Sequence, residues 1–285
     1  MNFSEKIYQH LCTQVNHTGA LRIFTALVYL WFPINILLLY DVKDLLWGVD
    51  NVFYRHGHTD GFIENFFYQL VYDATRFRFI FFTHLIAAFL SVIQSKWSFI
   101  PRIITWCTAW ILFYAAIEAF NSGMMIMISL ALYASVIHPG ATHPIRILWT
   151  NLARYACIIQ ISLVYFTAAI FKLSGEQWLA GDAFYYTVHI RHFASDFWIS
   201  EKMLSQSWIL AAITWAGLLY QLIFPVMVWV KKGRTLFLIA GIFFHLFIGL
   251  FLHLWDFASA MIFCYAIFMH EKTAERILRL IPRKR

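Results

Sequence analysis

Charge is scarce in this sequence: Asp, Glu, Lys and Arg together make 13% of its 285 residues, against 61% that are hydrophobic. A water-soluble domain of this size uses about twice that share of charge and cannot hide so much apolar surface, so a soluble globule is excluded. Cysteine is sparse too. The four are Cys12 near the start and Cys107, Cys157 and Cys264 inside apolar runs, with no CxxC pair or metal-type spacing, so no disulfide framework is implied. Also missing are a Gly-rich phosphate loop, a nucleophile triad, a zinc signature, an internal repeat and any tract that reads as a second, soluble domain. Residues 1–19 are polar and mixed, so a cleavable signal peptide is not expected and the first span serves as its own anchor.

What is present is a series of long apolar runs. They lie near Ala20–Tyr40, Phe77–Ile93, Ile103–Phe120, Met124–Ile137, Leu152–Leu173, Trp208–Val230, Thr235–Leu254 and Phe257–Met269. A bilayer interior forces each spanning segment to satisfy its own backbone, so the expected fold is all-α: a polytopic transmembrane helical bundle of about eight spans. Charge sets the orientation, because cytoplasmic loops keep Lys and Arg. With both ends inside, inner segments collect most of the basic residues, among them Arg22, Lys96, Arg102, Arg146, Lys231, Lys232 and Arg234, while outer segments collect most of the acids. The sequons at Asn2 and Asn16 then face the cytoplasm and stay unmodified. The formal net charge of +7 is spread along inner flanks and gives no nucleic-acid surface.

Two outer loops are too long to be simple connectors. In residues 41–76, Phe62, Phe66 and Leu70 recur every four positions beside Ile63, Phe67 and Val71, as an interfacial helix requires. Residues 174–207 mix Trp178, Phe184, Tyr185, Tyr186, Phe193, Phe197 and Trp198 with charge, and are expected on the outer leaflet. The transmembrane domain is read as 1–270, followed by a basic cytoplasmic tail at 271–285 that suits anionic lipid.

The most informative stretch runs from Gln160 through Tyr165-Phe166 and Lys172-Leu173 to Trp178 and Gly181. Tyr165 lies seven residues before Lys172, two turns back on the same helix face. Alone, Lys172 reads as a snorkelling cation at a helix end. Its other reading is an amine desolvated by apolar neighbours, able to act as a neutral base. Glu118 and His245 are further pocket candidates, since polar groups inside a membrane are costly unless paired or functional. For His245 the ordinary role is a neutral ring hydrogen-bonded to another helix. The histidines at 56, 58, 189 and 192 lack accompanying carboxylate or cysteine ligands, and no metal site is assigned.

This stretch resembles the vitamin K-dependent γ-carboxylase and its bacterial relatives, the horizontally transferred transmembrane (HTTM) family. Phe244-His245, and the Leu21-Arg22-Ile23-Phe24 start of the first span, are similar to further features of that family. Two departures stand out: one extra residue separates Lys172-Leu173 from Trp178, and these residues hold no counterpart of the carboxylase's large lumenal domain.

The resemblance implies that Lys172 is a base toward a reduced, vitamin K-like quinone and that Tyr165, with Gln160 and Trp178, lines its pocket. It also implies a secreted or membrane peptide as substrate, with an extracytoplasmic active face on a bacterial inner membrane. The cofactor itself is not legible from the residues. A non-enzymatic component for peptide toxin maturation, export or immunity is the alternative. A solute transporter is disfavoured, because no Gly/Pro-broken helix pair or inverted repeat marks a midplane site.

Overall fold

The computed structural model describes residues 2–47, 62–95, 97–190 and 204–280. All regular elements among them are helical: α1 (Phe3–Cys12), α2 (Thr18–Leu38), α3 (Lys43–Leu46), α4 (Phe62–Tyr72), α5 (Ala74–Val92), α6 (Phe99–Tyr114), α7 (Ser122–Ser135), α8 (Pro144–Leu173), α9 (Glu176–Ala180), α10 (Ala183–His189), α11 (Ser207–Met227), α12 (Arg234–Leu252), α13 (Trp255–Cys264) and α14 (Glu271–Leu280). Short 3-10 turns occupy Tyr40–Val42, Ile117–Ala119 and Tyr265–Phe268.

Five helices, α2, α5, α8, α11 and α12, are long and apolar enough to cross a membrane. Shorter apolar helices are α6, α7 and α13 with the turn that continues it. Each of the eight apolar runs is therefore helical, but the ends shift. The third run stops at Tyr114 rather than Phe120, because Ala116 leaves helical geometry at φ −143° and ψ 42°. Large apolar side chains such as Phe79, Leu236 and Phe243 stand two-thirds or more exposed, which water would penalise and lipid would not.

The chain forms two compact units, residues 1–157 with 269–285, and residues 158–268. In the first, α2 is the central element. Its buried positions Leu21, Phe24, Val28, Trp31 or Phe32 and Ile36 recur every three to four residues, so one face packs inward along its length. Side-chain donors then fasten it and its neighbours to backbone: the Tyr29 hydroxyl donates to Ala131 O at 2.7 Å, and Trp47 Nε1 to Leu112 O at 2.8 Å.

The helix read in the first long loop is present as α4. Val71 is buried, Phe67 stacks on Tyr114 with centroids 5.1 Å apart, and Phe62 stands exposed. The second loop contributes α9 and α10. Of the four loop histidines only His189 falls within the described residues, where it contacts the Tyr185 carbonyl at 2.7 Å. No group of three or more metal-type ligands occurs among the described residues.

Candidate functional site

In the second unit, Ile158, Ile161, Tyr165 and Ala169 form the buried stripe of α8, while Ile159, Leu163, Phe166 and Ile170 stand exposed on its other side. Lys172, three residues beyond Ala169, continues the buried stripe into the last turn. There the chain reverses: the Gly175 N–H donates to Lys172 O at 3.0 Å, and α9 begins at Glu176. The reversal brings the Trp178 ring 4.9 Å from the Lys172 Nζ. The amine donates to Oε1 of Gln221, a buried residue of α11, at 2.8 Å.

A cation therefore meets a neutral carbonyl oxygen and an aromatic face. The ion pair Lys43–Asp44 lies far from it in sequence. Gly181, which closes the sequence motif, sits at φ +88°, where a side chain would be strained, and an added Cβ would meet Ala211 Cβ at 2.9 Å.

Two turns earlier on α8 a second group gathers. The Tyr165 hydroxyl lies 2.5 Å from His245 Nε2 on α12 and also bonds the Tyr265 hydroxyl, which in turn lies 3.0 Å from the Tyr220 hydroxyl on α11. The Tyr165 ring stacks on Phe224 with centroids 3.8 Å apart. Gly241 makes this convergence possible, because a Cβ there would overlap the hydroxyl oxygens of both Tyr220 and Tyr265. The second ring nitrogen of His245, Nδ1, is buried without a hydrogen-bond partner. Such an atom carries a desolvation cost unless something supplies a partner.

The structure thus brings Lys172 with Trp178, and Tyr165 with His245, as two groups in one unit. Gln160 is half-buried on α8 and joins neither. Glu118 belongs to the first unit, where it stands exposed on the 3-10 turn beyond α6. Sequence reasoning missed Gln221, Tyr220 and Tyr265. For Gln221 there was a signal, an amide in an otherwise apolar span, which membrane helices rarely carry without a partner.

The fold and the site define an all-helical membrane protein with an amine and a hydroxyl–imidazole chain buried among apolar helices. Residues 143–272, from just before α8 to the start of α14, match the family model described as the HTTM domain. That stretch is similar to the HTTM domain, and with the apolar helices it fits a membrane protein related to the membrane part of γ-carboxylase. The comparisons with curated proteins and with solved structures found no match.

Proposed function

We propose that this protein is an eight-span inner-membrane protein with both ends in the cytoplasm, and that Lys172 serves as a base toward a quinol-like or lipid-like ligand during the modification or maturation of a secreted or membrane peptide. The observation that carries this reading is the setting of the Lys172 amine. It is half-buried in the last turn of α8, held by a neutral amide oxygen and an indole face, with no carboxylate paired to it among the described residues.

A bound quinol supplies a hydroxyl whose proton is within the reach of a free amine. Gln221 fixes the direction of Nζ through its hydrogen bond, and Trp178 offers a flat apolar surface on which a ring can lie. The unpartnered His245 Nδ1 supports a ligand or water reaching the second group. Tyr165 positions His245 through its other nitrogen and so fixes which nitrogen is free to act.

The test is consumption of reduced vitamin K by the purified protein in detergent under oxygen, followed spectroscopically. The wild type should consume it, and Lys172→Ala should lose about a hundredfold or more, the usual share of a general base. Lys172→Arg should not rescue, because a guanidinium stays charged. Full activity in Lys172→Ala would remove the lysine from the chemistry and favour the non-enzymatic reading, a component for peptide toxin maturation, export or immunity.

A further inference from the structure

The first unit holds a cavity of about 250 Å³ that the reading above does not use. It lies where α2, α6 and α8 begin and α5 and α7 end, one end of the bundle. Arg22, Gln94, Ser98, Arg102, His138 and Arg146 line it. Three of these are guanidinium groups, and no described carboxylate forms an ion pair with any of them.

Arg102 is the inner wall. Its side chain is 1% exposed, with Nε donating to Ser91 O at 3.4 Å and Nη1 to Ala134 O and Ile137 O at 3.3 and 2.7 Å. Those carbonyls belong to the ends of α5 and α7, so the cation is offset by helix dipoles and not by a full negative charge. Burying a charge on these terms is expensive, and the bonds engage Nε and Nη1 while Nη2 keeps its donors. Half-buried Arg22 and exposed Arg146 add two more positive groups at the mouth. Burial, then the charges of Arg102 and Arg146, hold the His138 imidazole below its ordinary value, so at neutral pH the positive charge comes from the arginines.

We propose that this cavity binds a phosphate group, free or as the head group of an anionic phospholipid. Forked guanidinium donors match phosphate oxygens, and Gln94 and Ser98 supply neutral donors beside them. The volume falls below the roughly 300–1,000 Å³ of sites that enclose a drug-sized molecule, so it suits a head group or small anion, not a whole lipid. Basic pockets between membrane helices on the cytoplasmic side have this use. The site is independent of Lys172, which belongs to the other unit.

The test is the thermal midpoint of the purified full chain in neutral detergent. One arm titrates inorganic phosphate, a second titrates short-chain phosphatidylglycerol, and sodium chloride controls for ionic strength. A rise with phosphatidylglycerol alone identifies a lipid head group, and a rise with phosphate a free phosphorylated solute; either supports the site. The Arg22→Gln/Arg146→Gln double variant, which leaves Arg102 in place, should weaken the apparent affinity about tenfold per arginine removed. If the double variant does not fold, Arg146→Gln alone at the exposed rim should show the smaller, tenfold loss. No rise with either anion, or an equal rise in the variants, overturns the proposal.

Discussion

The two units satisfy their buried polar groups differently. In the first, the large donors end on backbone carbonyls, Tyr29 on Ala131, Trp47 on Leu112, Arg102 on Ser91, Ala134 and Ile137, and Asn151 Nδ2 on Leu11 and Gln14, and in the side-chain pairs His84–Thr108 and Ser91–Thr105 the hydroxyls of Ser91, Thr105 and Thr108 are also tied to carbonyls of their own helices. In the second, side chains satisfy one another, Tyr165 with His245 and Tyr265, Tyr265 with Tyr220, and Lys172 with Gln221. A carbonyl acceptor is fixed by the helix that carries it, so the first pattern fastens helices at set positions. A side-chain chain has protons that move and partners that rotate, so the second pattern suits a site.

The largest effect that tests this contrast is expected at Arg102. Replacing it with Leu removes a charged donor from three carbonyls at once, and each such bond is worth about 1.5–3 kcal/mol. Allowing for relaxation and water entry, the loss should be about 3–5 kcal/mol, read as a lower thermal midpoint. Hydrogen exchange should quicken around residues 91–105 and 131–137. A variant with a wild-type midpoint would show that Arg102 is not a fastening group.

Arg102 also marks where the sequence was legible and where it was not. Local composition revealed each of the eight apolar helices, because a membrane leaves little else for such runs to do, but it set Arg102 in the segment before its span, whereas the residue lies buried in the first turn of α6. It did not reveal that the side chain turns inward to the ends of two other helices, since that depends on tertiary packing. The same divide holds at the candidate site. The Tyr165–Lys172 spacing is local and was readable from helical periodicity. Gln221, Tyr220 and Tyr265 come 49, 45 and 100 residues from their partners Lys172, Tyr265 and Tyr165, beyond the reach of any periodic pattern. The end of α6 was misplaced because Ile117 and Phe120 carry the hydrophobicity of a helix past the point where the backbone has left it.

A smaller effect is expected at Tyr165→Phe, which keeps the ring on Phe224 and deletes only the hydroxyl. Both His245 Nε2 and the Tyr265 hydroxyl then lose a partner. In a membrane the unfolded helices also find partners, which holds individual polar bonds to about 0.6 kcal/mol on average, so two of them should amount to about 1–2 kcal/mol. Faster exchange should be confined to the end of α8, to α12 and to the Tyr265–Phe268 turn. If the change spread equally through the first unit, the contrast between fastened helices and a local side-chain chain would fail.

The smallest effect concerns Glu271, and it bears on whether residues 271–280 are a free basic tail. The N-cap residue of α2, His17, has left-handed geometry and gives no side-chain cap, yet the Gly19 and Ala20 N–H groups are met by the two carboxylate oxygens of Glu271 at 2.6 and 3.4 Å. A residue from the far end of the chain thus caps the first long helix, and Ala274, fully buried, packs beside it on the close approach that Gly19 allows. Glu271→Gln keeps an oxygen acceptor and removes the charge that opposes the helix dipole, so it should cost about 0.3–1 kcal/mol. Glu271→Ala removes the acceptor as well and should cost about 0.5–2 kcal/mol, the range for losing a cap. The order of the two midpoints, Gln above Ala, separates a cap from a mere surface charge, because a surface charge would make the two variants equal. Added salt should narrow the gap between wild type and Gln while leaving that between Gln and Ala, since screening acts on the charge and not on the hydrogen bond.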